Sequence, residues 1–255
     1  MNEMRDKVVT HSSQLKGNTF QPDIYEKLLP LLPDDKNSSI LDVGAGSGFF
    51  CAKMRECGYR NLTACDLPQF DFKVEEVPYH GCNLNESIPL PDQSIDCTIS
   101  IEVAEHIEHH QNYFSEIFRI LKPGGRAIFS TPNIQGLGSR MHYLLHGTTD
   151  GARRPFDPDK VSGLQHVNCL GVQHFQYYIH HNGGQIRSLA TNHLRVSSLI
   201  VAPLVPILAG AMWLRGLGKK ARSQRDRYQE HCRWHLSTPA LFGRILFVIA
   251  EKSVR

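Results

Sequence analysis

Residues 41–48 read Leu-Asp-Val-Gly-Ala-Gly-Ser-Gly, three glycines at alternate positions between an apolar run and an amphipathic one. Glycine lets the backbone turn tightly and approach a ligand with no Cβ in the way. A strand leading into such a turn, with a helix after it, is the opening unit of a doubly wound sheet. Its ligand crevice lies at the carboxyl ends of the strands. A dinucleotide fingerprint would set its third glycine one residue later, at Phe49, and a phosphate-binding loop would carry a lysine. Neither is present, and an acid, Asp42, stands two residues before the first glycine.

The rest of the chain repeats the strand–turn–helix theme. A polar lead over residues 1–38 contains one helix, about Asp23–Leu32, closed by Pro33. Strands are expected at Ser39–Val43, Asn61–Cys65, Val77–Cys82, Asp96–Ile101, Arg126–Ser130, Gln185–Leu189 and Arg244–Ala250. Helices are expected at Ser47–Cys57, ended by Gly58, from about Val103 to Leu121, and at Val172–Asn182. Lys122-Pro123-Gly124-Gly125 is a strong helix stop. The long stretch Thr131–Leu170 reads as a loop. Alternating strands and helices give an α/β, doubly wound Rossmann-like sheet, seven-stranded and mostly parallel, with helices on both faces. The chain is read as one domain over 1–255. It comprises an N-terminal helical cap (1–38), a cofactor-binding core (39–194), an apolar and basic insertion (195–243) and a last strand (244–255).

With 41% hydrophobic and 21% charged residues among 255, the chain can bury a sizeable core. A net charge of +3 is too mild to call for nucleic acid. Seven cysteines without a C-x-x-C pair fit reduced, buried thiols and a cytoplasmic location. The opening MNEMRDKVVTHSSQ has no apolar core of a secretion signal.

With the glycine loop go Asp66, Pro89-Leu90-Pro91-Asp92, Ile95-Asp96, Glu102–His106, Arg119–Gly125 and Ser130-Thr131-Pro132-Asn133. In this order they resemble the class I S-adenosylmethionine (SAM)-dependent methyltransferases, closely from about Ser39 to Asn133 and loosely to Lys252. The resemblance implies SAM as cofactor. It sets Gly44, Ala45, Gly46 and Gly48 against the methionine and ribose, and Asp42 toward the amino group. Asp66 would take the ribose hydroxyls, Leu67 would flank the adenine, and Asn83-Leu84 would replace the usual Asp-Leu near the adenine amino group. Ile101 would pass beside the cofactor.

Glu102, Glu105 and His106 follow the fourth strand. On a helix, spacings of three and four put them on one face at the rim of the crevice. Two carboxylates and an imidazole there can coordinate a divalent cation that polarises a hydroxyl. Glu102 and His106 are also candidate catalytic residues, His106 as general base, and a purely structural role stays open. The E-x-x-E-H is similar to that of ubiquinone-pathway and small-RNA 2′-O-methyltransferases. That resemblance implies a metal (Mg or Zn) on Glu102, Glu105, His106 and a later histidine, here His166. His109 and His110 are expected at the surface.

Val196–Leu214 carries no charge and is followed by a basic cluster from Arg215 to Arg227. A single crossing of a bilayer would separate two strands that should pair. Pro203, Pro206 and Gly210 also break any straight helix. The expectation is peripheral contact with a membrane surface through 196–227, or burial against the domain's own core or a subunit interface. The function expected is O-methylation of a hydroxyl on a small or membrane-associated acceptor, such as a glycan, lipid or quinone precursor. An RNA 2′-O-methyltransferase and a non-catalytic SAM-fold adaptor are the alternatives.

Overall fold

The structure, a computed structural model, describes residues 22–149, 157, 165–218 and 224–254. Residues 1–21 and the basic residues Lys219, Lys220 and Arg222 lie outside them. So does most of the segment between Thr149 and Gln165.

The strands are β1 (Ile40–Val43), β2 (Leu62–Asp66), β3 (Tyr79–Gly81), β4 (Ile95–Ile101), β5 (Leu121–Pro132), β6 (Gly184–Thr191) and β7 (Ile245–Lys252). They form one sheet in the order β3-β2-β1-β4-β5-β7-β6. β7 runs antiparallel to both of its neighbours and the remaining pairs are parallel. The order reverses between β1 and β4, which is where a doubly wound sheet opens its crevice. β1 is buried along its whole length. That suits a central parallel strand covered on both faces.

The helices are α1 (Pro22–Leu28), α2 (Phe49–Glu56), α3 (His110–Ile120), α4 (Leu137–His146), α5 (Val172–His181), α6 (Val196–Ile200), α7 (Val205–Gly216), α8 (Arg225–His235) and α9 (Thr238–Phe242). Two apolar clusters fill the faces of the sheet. One joins α3, α5 and the sheet through Tyr113, Phe114, Phe129 and Phe175. The other joins α1, α2 and the sheet through Leu28, Phe50, Met54 and Phe247. Asp23 on α1 accepts from Asn192 Nδ2 at 2.7 Å, tying the first helix to the end of β6.

Several expectations need correction. The helix expected from Val103 begins only at His110, because Ala104–His106 forms a short 3-10 turn and Ile107 is extended. His110 is buried rather than exposed; its Nε2–H donates to the carbonyl of Ala104 at 2.8 Å. The loop Thr131–Leu170 contains α4. The uncharged run 196–214 is split into α6, a 3-10 turn at Ala202–Leu204 and α7, as Pro203 and Pro206 dictate. No helix among the described residues is long and apolar enough to cross a membrane.

Candidate active site

The β1–α2 loop is shaped by its glycines. Gly44, Gly46 and Gly48 have φ of 79°, 53° and 89°, in the left-handed region that other residues avoid. A Cβ on Gly44 would meet Val103 Cγ2 at 2.3 Å, and one on Gly48 would meet Val74 and Phe72 at under 3 Å. A Cβ on Gly46 would meet nothing within 4 Å. The outer two glycines therefore serve packing, while the middle one borders open space. That space is where a ligand can lie against the backbone.

Two carboxylates flank this loop. Asp42, at 2% exposure, accepts a weak bond from Cys51 Sγ at 3.3 Å. Burial pushes its pKa up to about 7. No cation among the described side chains pairs with it, so it suits a ligand that brings a positive charge. Asp66 ends β2 and accepts from the N–H groups of Gly46 and Leu67, both at 2.7 Å. Burial raises its pKa against those two bonds. Each oxygen keeps a lone pair after one such bond, enough for a pair of neighbouring hydroxyls.

Tyr25 of α1 packs on Phe49 and Phe50 at the start of α2. Burial, with the charges of Asp42 and Glu102, raises its hydroxyl to about 12. Asn83 spends its side chain locally, accepting from Asn85 N–H at 3.0 Å and donating to Glu86 at 3.2 Å. Leu84 is buried beside it, and Ile101 packs on the second apolar cluster.

At the end of β4 the chain turns sharply. Glu102 has φ of 55°, a strained state for a residue with a side chain, costing on the order of 1–2 kcal/mol. Ser130 holds it there. The Glu102 N–H donates to both the carbonyl and the hydroxyl of Ser130 at 3.1 Å, and that hydroxyl donates to the Glu102 carboxylate, also at 3.1 Å. Burial raises the Glu102 carboxyl to about 7.

The turn then delivers Glu105 and His106 by a different route from the helical face expected. Glu105 is fully buried. One oxygen accepts from Thr131 Oγ1 at 3.1 Å, and the other, Oε1, has no hydrogen-bond partner. Burial, reinforced by the charge of Glu102, lifts its pKa well above the usual range. His106 Nδ1–H donates to the Gln165 carbonyl at 2.9 Å, which leaves Nε2 with its lone pair. Burial lowers its pKa, so the imidazole is neutral near pH 7.

Glu105, His106 and His166 each offer a ligand atom within 4.8 Å of the others. The rings of His106 and His166 meet edge to face at 4.7 Å. The structure thus brings together three of the four expected metal ligands, while Glu102 engages Ser130. Asn168 completes the link: its N–H donates to the Glu105 carbonyl at 3.1 Å and its side chain to that of Ile107 at 3.1 Å. Sequence reading gives no role to Ser130, Thr131, Gln165 or Tyr25. The first three sit inside or beside motifs that were legible, whereas nothing in the sequence points to Tyr25.

Comparison with known proteins identifies the family and the fold. The family described as "Methyltransferase domain" matches residues 18–186. A malonyl-[acyl-carrier protein] O-methyltransferase of Serratia marcescens is 33% identical over 158 residues, covering 59% of this chain and 55% of that protein. Its counterpart in Yersinia pestis is 32% identical over 171 residues, covering 64% and 58%. The chain therefore spans little more than half the length of these relatives. Among solved structures, a SAM-dependent methyltransferase from Mesorhizobium loti superposes with a TM-score of 0.54 at 16% identity, covering 90% of this chain and 98% of that one. The chain belongs to the methyltransferase-domain family, the SAM-dependent methyltransferases with the class I fold.

Proposed function

We propose, with that membership as premise, that the chain moves a methyl group from SAM to a hydroxyl oxygen. The acceptor would be a small molecule or a glycan, lipid or quinone precursor held at a membrane. Bound SAM supplies an electrophilic methyl group. The residues present fit it: open space at Gly46, a buried Asp42 without a cationic partner among the described residues, and Asp66 with free lone pairs. Asp42 is the group for the amino end, Asp66 for the ribose hydroxyls, and Leu67, Asn83, Leu84 and Ile101 for the adenine side. An oxygen acceptor is in keeping with the names of the O-methyltransferase relatives.

A neutral hydroxyl attacks poorly, so its proton must be managed. The observation that carries this reading is the Nδ1–H bond from His106 to Gln165, which fixes the tautomer and leaves Nε2 as a base. His106 would take the proton, while Glu102 is held by Ser130 at the start of the same turn.

A second reading has its own observations, a Glu105 carboxylate within 4.8 Å of two imidazole nitrogens and an Oε1 on it with no hydrogen-bond partner. Glu105, His106 and His166 would hold a divalent cation, and the two nitrogens favour zinc over magnesium. The Gln165 carbonyl on His106 Nδ1 is the outer support that metal-ligating histidines usually have. Such an ion would supply a Lewis acid for the acceptor oxygen.

Transfer of labelled methyl from SAM to extracted lipid, glycan and RNA fractions tests the proposal, before and after chelator dialysis. Label in lipid or glycan is expected. Label in RNA alone would favour the nucleic-acid alternative. SAM binding without label in any fraction would favour the adaptor. Loss of transfer on dialysis, with recovery on adding zinc, would select the second reading.

A further inference from the structure

The stretch from the end of β6 to the start of β7 leaves and rejoins the sheet at one edge, since Thr191 pairs with Leu246 and Pro132 with Ile245. That edge is the carboxyl end of the parallel strands, where the 102–106 turn lies. Within this stretch α6 and α7 are made largely of aliphatic residues, yet no residue of α7 is buried. Ile200 is 75% exposed, Ile207 69% and Trp213 65%. In a second, distant segment, Leu144 and Leu145 at the end of α4 are 76% and 68% exposed. Gly138 N–H of α4 donates to Ser198 Oγ of α6 at 3.1 Å, and a Cβ on Gly138 would meet Ser197 Oγ at 2.7 Å. The start of α4 is thus packed on α6, and α6 runs through the 3-10 turn at Ala202–Leu204 into α7, so that α6 and α7 present consecutive exposed aliphatic side chains. Soluble monomers rarely leave so many large aliphatic side chains of one segment exposed without a partner.

The charge in the sequence of this stretch selects the partner. From Arg195 through Arg227 the sequence contains Arg195, Arg215, Lys219, Lys220, Arg222, Arg225 and Arg227 against a single acid, Asp226. A second copy would oppose the same positive charge, whereas an anionic surface complements it. Trp213 lies where the apolar run meets the cations, the position an amphipathic ring prefers at a membrane interface. The 12 residues of α7 rise about 18 Å, against roughly 30 Å of hydrocarbon. The element is sized to lie in an interface.

We propose that the exposed apolar surface of α6 and α7 docks on a bilayer containing anionic phospholipid. Docking would hold the carboxyl edge of the sheet, and the site on it, at the lipid headgroups. The inference rests on the surface alone and stands or falls separately from the acceptor assignment.

Flotation of the full chain with vesicles of equal parts phosphatidylglycerol and phosphatidylcholine, compared with phosphatidylcholine alone, tests it. Binding is expected to the anionic vesicles and to weaken with salt. Ile207→Glu combined with Leu214→Glu, both at exposed positions, should abolish flotation and leave SAM affinity unchanged. Arg215→Gln combined with Arg225→Gln should weaken binding by about fivefold per cation removed. A wild-type chain that ignores anionic vesicles, or binds neutral ones equally, would overturn the proposal. So would a dimer in sedimentation velocity that the two glutamates dissociate, because a second copy would then be the occupant.

Discussion

The loops after β1 and β4 meet at the same crevice, yet they are built on opposite principles. The β1 loop takes its shape mainly from its own three glycines in left-handed geometry, with Asp66 of the neighbouring strand accepting from Gly46 N–H. The β4 turn takes its shape from elsewhere. Its left-handed residue is Glu102, held by Ser130, and its functional groups are set by Thr131, Gln165 and Asn168. A loop that carries its own geometry can be read from sequence, and one that borrows it cannot. The same contrast divides the work proposed for them, donor binding at the first loop and acceptor chemistry at the second.

The first loop should be the more fragile under a single added methyl group. Gly44→Ala combines a φ of 79° with a Cβ that would lie 2.3 Å from Val103. A loss of roughly 2–5 kcal/mol in denaturant unfolding is expected, together with loss of SAM binding in calorimetry. Gly46→Ala, which faces open space, should cost only about 1–2 kcal/mol while still weakening SAM. Equal stability losses at the two positions would erase the distinction between packing glycine and ligand-facing glycine.

Asp42 separates stability from binding within the same loop. Its carboxyl titrates at about 7 in the fold, against an ordinary 3.8 unfolded. Below that lower value both states are protonated and nothing is lost. As the pH rises through the window, the folded chain holds a proton that the unfolded chain has released, so stability falls until about pH 7 and then levels. Asp42→Asn escapes this loss, and its advantage should grow to roughly 2–4 kcal/mol at pH 8. SAM affinity should fall at least tenfold in the same variant, and in wild type it should weaken as pH drops from 8 to 6. A variant that is less stable than wild type at pH 8 would refute the burial argument.

Much of this was legible in residues 39–133, and the reasons are local. The glycine spacing, Asp66 at a strand end and the Lys122–Gly125 stop each act within a few positions of themselves. What escaped reading depends on contacts between distant residues. Helical spacing placed Glu102, Glu105 and His106 on one face, but the Ser130 hydroxyl holds Glu102 left-handed and starts a 3-10 turn instead. His110 looked like a surface residue because the carbonyl that receives its proton, on Ala104, belongs to that unforeseen turn. The insertion's charge pattern was plain from sequence, while its anchoring on the start of α4 needed the Gly138–Ser198 contact.

Asn133 gives a smaller test of borrowed geometry. It is buried, and its Nδ2 approaches the carbonyls of Pro239, Ala240 and Gly243 within 3.1 Å, fixing the end of β5 to α9. Asn133→Ala should cost about 1–3 kcal/mol by leaving those carbonyls unpaired. Methyl transfer should fall with little change in SAM affinity. Undiminished transfer would mean that this anchor does not govern the β4 side.

The division of work between the two loops is tested most directly by measuring SAM affinity and methyl-transfer rate side by side in His106→Ala. The account predicts a dissociation constant within about twofold of wild type and a rate lower by roughly 100-fold or more. A full transfer rate, or a collapse of SAM affinity with a folded chain, would contradict it.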